Sequence, residues 1–339
     1  MFGPFSAGDS LRVYRLQRKG LTLDLQRSLT QPVTPLREAW LSFLTQHAMG
    51  QPTYVWVGLG DGEGFIQVRY RPHQAAADVA YLSPTLHASN QAANAWSQLL
   101  DGACVEAASR GIQRVFASLP DSSAEMDLFQ QSGFALYAGE DIYQLHSPSE
   151  GKEGAEPRVP RLQAPEDWPA IQKLCVAITP QRVRQAEGGI TVAAGVEKNC
   201  RRYVLPGKQG EDLAAVLNVY AGTHAYWLRF LVHPNAREVT EGLIQWVLSS
   251  LAGQPPSPMY CNVRQYEGGV RSGLQAAGFE HLSTRALMVK HTLAWSKLPV
   301  LELAPALSGS AEIAPPAYRI EGDGEVQVRP GRLAANQKS

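Results

Sequence analysis

The pattern of hydrophobic and polar positions runs twice through the same order of predicted elements. In the first half, strand-like runs at 54–59 and 65–70 flank a glycine-rich turn, which predicts a β-hairpin. A strand at 79–82 ends just before Pro84, and a helix with apolar positions three and four residues apart follows it. A strand at 114–119, a second helix and a last strand complete this half.

The second half repeats that order. Strands at 203–205 and 214–220 surround a turn, and a strand at 227–232 ends shortly before Pro234. A helix, a strand at 259–263, another helix and a last strand follow. One order of elements found twice in a chain indicates two copies of one fold.

A Gly-Phe pair follows the second helix of each copy. Val115 lies 18 residues before Gly133 (133 − 115), and Tyr260 lies 18 residues before Gly278 (278 − 260). Strands that alternate with helices in this way predict an α/β fold, with a mixed, mostly antiparallel sheet flanked by helices in each copy.

The pattern also predicts where the copies begin and end. We expect one domain at 1–146 and a second at 158–300, joined by a linker at 147–157 that is rich in small, charged and turn residues. The Ala-, Pro- and Gly-rich stretch at 301–339 is expected to be a disordered tail. Within the first domain, the alternation at 11–16 predicts a further strand.

Composition and charge narrow the classes of function. The 339 residues include 31 basic and 31 acidic side chains, and this neutral balance argues against nucleic acid as a partner. No apolar run is long enough for a membrane span, and the N-terminus shows no signal-peptide pattern, so a cytoplasmic protein without a membrane partner is expected. The four cysteines form no Cys-x-x-Cys pair and no His/Asp/Glu set has ligand spacing, so no metal site is expected.

The order of elements, the strand-ending prolines and the Gly-Phe pairs resemble the GCN5-related N-acetyltransferase (GNAT) superfamily. The resemblance covers roughly 10–145 and 158–294 and implies two tandem GNAT-like domains. In that family a strand ends in a turn, and an Arg/Gln-x-x-Gly-x-Gly/Ala loop opens the next helix and holds the pyrophosphate of acetyl-CoA. Backbone N–H groups at a helix N-terminus bind such anions.

Both loops depart from that motif. The first reads His87-x-x-Asn90-x-Ala92, and the second reads Arg237-x-x-Thr240-x-Gly242, which keeps the basic residue and the last glycine. The resemblance therefore implies that the second half is the better site for acetyl-CoA as co-substrate. Its expected contacts extend over the strand end and the loop: Leu231, Val232, Arg237, Glu238, Val239, Thr240 and Gly242. We also expect Thr240 to cap the following helix.

The sequence indicates the catalytic residues less clearly than it indicates the loop for acetyl-CoA. The family's acid tyrosine, four residues before the Gly-Phe glycine, is replaced by Phe129 in one half and Leu274 in the other. Acid/base candidates beside the strand ends are Asp78, Tyr81, Tyr226, Tyr266 and Glu267, with Tyr266 and Glu267 favoured as catalytic residues because they lie in the loop after 259–263.

Three functions remain open from the sequence. An N-acyltransferase that moves an acetyl group from acetyl-CoA to an unidentified amine is favoured. The alternatives are a catalytically inactive GNAT-like protein that binds acyl-CoA and a duplicated scaffold for protein interactions. A monomer or a homodimer is expected.

Overall fold

The structure is a computed structural model that describes residues 1–58, 62–121, 123–146, 159–188, 199–207, 212–255 and 258–292. The strands of these residues are β1 (Phe2–Pro4), β2 (Leu21–Thr22), β3 (Thr53–Val57), β4 (Glu63–Tyr70), β5 (Ala76–Ser83), β6 (Arg114–Pro120), β7 (Ala135–Leu145), β8 (Arg161–Leu162), β9 (Cys200–Pro206), β10 (Leu213–Ala221), β11 (Tyr226–Val232), β12 (Met259–Arg264) and β13 (Glu280–His291). Their α-helices are α1 (Ser10–Leu16), α2 (Leu25–Thr30), α3 (Pro35–Leu44), α4 (Ala92–Ser109), α5 (Ser123–Gln131), α6 (Trp168–Ile178), α7 (Gln181–Glu187), α8 (Thr240–Leu251) and α9 (Gly268–Ala276).

One continuous sheet contains all thirteen of these strands. Its order is β1-β3-β4-β5-β6-β13-β7-β12-β11-β10-β9-β8, and β2 pairs with β5 beside this path. The strands of the two halves correspond in chain order, so that, for example, β6 corresponds to β12 and β7 to β13. If each strand is exchanged for its counterpart, the same strand order results, read in the opposite direction. The sheet therefore has the two-fold order expected of a duplicated fold, and the predicted α/β class is confirmed.

The two halves exchange their last strands. Strand β7 of the first half pairs with β12 of the second, and β13 of the second half pairs with β6 of the first. The two exchanged strands also pair with each other at the centre of the sheet. Each half thus covers the open edge of the other, an edge that would otherwise leave a row of backbone groups unpaired.

Helices cover both faces of the sheet. Helix α4 packs through the buried side chains of Trp96 and Leu99 on the first-half strands, and α8 packs through Ile244 and Val247 on the second-half strands of the same face. Each of these helices carries an apolar stripe with a spacing of three or four residues, as the sequence predicts.

On the opposite face, two short helices lie over the other half. Leu25 and Leu29 of α2 pack against Trp227 and Tyr260 of the second half. Ala186 of α7 packs against Phe116 of the first half, in a cluster that also holds residues of β5 and β13. The exchange therefore includes helices as well as strands.

One predicted element is wrong. Residues 11–16 were expected to form a strand, but they belong to helix α1. Val13 and Leu16 are its buried positions, three residues apart, and they pack with Phe5, Phe65 and Tyr81. Over six residues an alternating pattern fits an i, i+3 spacing as well, so periodicity alone cannot separate the two structures. The predicted linker at 147–157 and the tail at 301–339 lie outside the described residues.

Candidate functional site

The parallel strands β11 and β12 diverge and leave a groove between them. They pair from Tyr226 with Met259 to Arg229 with Asn262, and pairing stops there although β11 continues to Val232 and β12 to Arg264. We call the space beyond Arg229 the second-half groove. Within the described ranges no strand pairs with β11 along this edge.

Backbone groups of β11 line the second-half groove. His233 N donates a hydrogen bond to Ala214 O on the β10 side (2.8 Å), whereas Tyr226 N donates to Pro258 O on the β12 side (3.1 Å). Because successive residues of a strand direct their N–H groups to opposite edges, Phe230 and Val232 point into the groove. Leu231, which was expected to contact ligand, turns its backbone to β10. Phe230 was missed because the sequence alone does not fix this register.

The helix mouth beyond the groove combines an open glycine with an orphaned hydroxyl. A Cβ atom on Gly242 would meet nothing within 4 Å, so close packing does not explain this glycine. Thr240 is the first residue of α8, with helical dihedral angles, and its buried Oγ1 has no hydrogen-bond partner among the described residues. The expectation that Thr240 caps the helix is therefore wrong.

The charges at this mouth are mixed. Arg237 is exposed, its aliphatic carbons lie over Gly269, and it forms no salt bridge with the described residues. Glu238 and Glu241, on the same turn of the chain, are also exposed and add two acidic side chains to this mouth. Val239 is buried in the core around α8, so its side chain is not available to a ligand. The attraction of this mouth for a phosphate therefore depends on Arg237 and on backbone N–H groups.

A buried ion pair forms the floor of the second-half groove. Arg229 donates from Nη1 and Nη2 to the two carboxylate oxygens of Glu267, each at 2.6 Å, and Arg264 N donates to Glu267 Oε2 at 3.1 Å. A bidentate pair of this kind fixes both side chains. Glu267 thus holds β11 to the turn after β12, and the sequence missed Arg229, whose signal is a charge inside an apolar strand.

Tyr266 is the titratable group beside this ion pair. Its side chain is half-buried, and burial raises the pKa of Tyr266 above its ordinary value, although the positive charges of Arg229 and Arg264 act in the opposite direction. A phenol with a raised pKa is protonated at neutral pH, so it can donate a proton and cannot accept one.

The other three candidates are held by hydrogen bonds that stabilise the fold. Asp78 is bound by Arg71 (2.6 Å) and Arg69 (3.2 Å), and the Tyr81 hydroxyl donates to Gln17 O. The Tyr226 hydroxyl donates to Pro255 O at 3.1 Å. None of these hydrogen bonds places Asp78, Tyr81 or Tyr226 at the second-half groove. Phe129 and Leu274, at the family's acid position, are both fully buried core residues.

The corresponding space in the first half is filled by the chain itself. Strands β5 and β6 pair only from Ala76 to Asp78 and then diverge. Strand β2 enters this gap and pairs with β5 on the edge that β6 leaves, with Leu21 opposite Leu82. Leu23 N and Asp24 N then both donate to the carbonyl of Ala80, at 2.9 and 3.2 Å. The first-half groove therefore has no free backbone edge at this point.

Two further properties hold over the described ranges. No three His, Cys, Asp or Glu side chains there are placed to bind a metal ion. None of the helices in those ranges has the length and apolar character needed to span a bilayer.

Comparison with solved structures identifies the fold. A GCN5-related N-acetyltransferase from Sphaerobacter thermophilus is similar with a TM-score of 0.52 and 13% identity, over 86% of this chain and 95% of that one. A tandem GNAT protein from the clavulanic acid biosynthesis pathway gives a TM-score of 0.50 and 14% identity, over 86% of this chain and 98% of that one. No family model and no curated protein sequence matches the chain. The chain has the tandem GNAT fold.

Proposed function

We propose that the protein is an acyl-CoA-dependent N-acyltransferase that transfers an acetyl group to an amine, and that its second half binds acetyl-CoA. The observation that carries this proposal is the second-half groove, because its counterpart in the first half is filled by β2. The likeness to acetyltransferase folds supports acyl transfer in general terms.

The residues of the groove fit an acyl-CoA. The backbone groups of Phe230 and Val232, which no strand of the described residues pairs with on this edge, suit the amide-rich arm of the molecule, which would extend along β11 as a further strand does. Gly242 leaves room for close approach to the start of α8, and Arg237, which is exposed and forms no salt bridge with the described residues, can bind phosphate oxygens.

The same residues suggest how the chain would assist the reaction. A backbone N–H directed into the groove can polarise a carbonyl oxygen, and alignment of the two reactants supplies much of the rate gain. Tyr266, protonated because it is buried, would donate a proton to the departing thiolate. Glu267 would position the groove through Arg229 rather than act as a base.

A second candidate is a protein that binds acyl-CoA without catalysing transfer. It is favoured by Phe129 and Leu274, since both positions of the family's acid tyrosine are occupied by core side chains that cannot donate a proton.

Isothermal titration with acetyl-CoA tests both candidates. We expect one site per chain, lost in Gly242→Trp and retained in Asn90→Trp, which changes an exposed residue at the matching loop of the first half. Release of CoA in the presence of a panel of amines supports the enzyme, and binding without release supports the second candidate. No binding by the wild-type protein would contradict both.

A further inference from the structure

A cavity of about 140 Å³ lies where the two halves meet, next to α2. First-half strands β4, β5 and β6 contribute to its wall, and so do β7, β11, β12 and β13. The cavity exists because β7 and β13 are exchanged, and it is large enough for several water molecules or a small organic molecule. We call it the central cavity.

Four guanidinium groups line the central cavity. Three of them are paired with carboxylates that also line it: Arg69 with Asp24 (2.8 Å), Arg71 with Asp78 (2.6 Å) and Arg264 with Glu140 (3.2 Å). The fourth is Arg285 of β13, which no carboxylate of the described residues approaches within salt-bridge distance.

Among the described residues, Arg285 is a buried cation that is hydrogen-bonded only to neutral groups. It is 5% exposed, its Nε donates to Ser118 Oγ at 3.2 Å, and its Nη2 donates to Ser118 O. Glu140 lies opposite it in the β7–β13 register, but that carboxylate already forms an ion pair with Arg264 and accepts a hydrogen bond from Asn262. Burial lowers the pKa of Arg285 to about 10, and the more distant charge of Glu140 offsets this only in part.

A buried charge without a counterion is costly, which is why such charges in proteins are paired. The missing counterion here has a single charge, because the other three arginines already face carboxylates, and Arg264 faces a second one in Glu187 (3.1 Å). A phosphate dianion would bring a second charge close to those carboxylates, whereas a carboxylate suits the guanidinium fork in both charge and geometry. The remaining wall includes the apolar side chains of Phe116, Ile142 and Leu287.

We infer that the central cavity binds a small monocarboxylate with a compact apolar body, and that Arg285 is its counterion. This site adjoins the floor of the second-half groove through Arg264, but its test uses no acyl-CoA, so it stands or falls independently of the proposed acyl transfer.

Titration of the full chain with propionate and benzoate tests the inference, with propionamide, benzamide and inorganic phosphate as comparison probes. We expect saturable binding of at least one carboxylate, no binding of its amide, and at least tenfold weaker binding in Arg285→Gln. The matched control is Arg110→Gln, which changes an exposed arginine that pairs with Glu106 on α4. It should bind as the wild-type protein does.

Three results would overturn the inference: no carboxylate binds the wild-type protein, phosphate binds more tightly than either carboxylate, or folded Arg285→Gln binds as tightly as the wild type. Should Arg285→Gln not fold, Arg285→Lys keeps the charge and loses the fork. Weaker carboxylate binding in Arg285→Lys then supports the site, and unchanged binding contradicts it.

Discussion

The two pairs of diverging parallel strands, β5–β6 and β11–β12, occupy equivalent places in the two halves, but the gaps between their strands differ in what fills them. Between β5 and β6 the chain inserts its own β2, and the Leu23 side chain joins the core under α4. Between β11 and β12 no described strand enters, and the floor is a buried Arg229–Glu267 pair. The duplicated fold thus makes one groove part of its core, whereas no strand of the described residues fills the other.

The difference also shows how each gap is stabilised. In the first half, backbone hydrogen bonds and apolar burial replace the missing ladder, as inside any sheet. In the second half, the bidentate ion pair holds the strands where the ladder stops, and beyond it no strand of the described residues pairs with this edge of β11. Substitutions at the two gaps should therefore have different consequences for stability and for binding.

The largest effect is expected at the floor of the second-half groove. Glu267→Ala leaves Arg229 buried without a counterion, so the free energy of unfolding should fall by about 3–5 kcal/mol. Urea unfolding measures this change. Glu106→Ala, which removes an exposed pair with Arg110, should cost less than about 1 kcal/mol. The double variant Arg229→Met/Glu267→Met should recover most of the loss, and a loss as large as that of Glu267→Ala would show that charge pairing is not the cause.

The segment that fills the first-half groove should behave as core. Leu23 is 3% exposed, so Leu23→Ala should lower the free energy of unfolding by about 2–4 kcal/mol. Leu231 at the second-half groove is only half-buried, and Leu231→Ala should cost about 1 kcal/mol. Stabilisation by saturating acetyl-CoA should be equal in Leu23→Ala and the wild type. If Leu23→Ala costs nothing, β2 is not integral to the core and its displacement by a ligand becomes the better account.

The sequence predicted the elements better than it predicted how they pair. The repeated order of strands and helices, the strand ends near Pro84 and Pro234, and the fold class could all be read from periodicity, because each depends on local pattern. The exchange of β7 and β13 depends on contacts between residues more than a hundred positions apart, and both strands read as ordinary last strands of a domain.

The register of the strands also could not be predicted from the sequence. Equal spacing to the Gly-Phe pairs aligned Val115 with Tyr260, yet Val115 faces α4 whereas Tyr260 faces away from α8 and Met259 faces it. A shift of one residue turns a side chain to the other face of a sheet, so Val115 corresponds to Met259. The same limit explains why Phe230 was not predicted to line the groove.

Charged residues inside apolar strands were the signal that could have found the remaining site residues. Arg229 interrupts the apolar run of β11, and Arg285 lies beside the apolar end of β13. Such residues are rarely buried unless they are paired or functional. Which of them has a partner depends on the tertiary structure, so only the structure separates Arg229, paired with Glu267, from Arg285, which has no carboxylate partner among the described residues.

The two halves should also differ in their contribution to chemistry. Tyr266→Phe should lower kcat about 100-fold, or ~2.7 kcal/mol, because the variant cannot supply a proton, and KM for acetyl-CoA should change little. Its raised pKa keeps Tyr266 protonated through neutral and mildly alkaline pH. The kcat of the wild type should therefore not fall through deprotonation of Tyr266 at any pH below the ordinary titration range of tyrosine. Tyr137→Phe on β7, which removes a hydroxyl that donates to Glu187 Oε1 (3.3 Å), should leave kcat unchanged, and equal effects of the two variants would assign the role elsewhere.

The smallest expected effect is on the affinity for acetyl-CoA, and it tests the charges at the start of α8. Glu241 lies one residue before Gly242, so its carboxylate repels a phosphate bound there; at roughly 7 Å in water this repulsion is about 0.6 kcal/mol. Glu241→Gln should therefore tighten acetyl-CoA binding about two- to fourfold, and Arg237→Gln should weaken it by a similar factor. Both changes should shrink at 0.5 M salt, whereas Glu106→Gln on α4 should leave the affinity unchanged at every salt concentration. Because the two substitutions have opposite expected signs, a general effect on folding cannot produce both. If neither substitution changes the affinity for acetyl-CoA, the phosphates lie away from the start of α8, even if the second-half groove still holds the rest of the molecule.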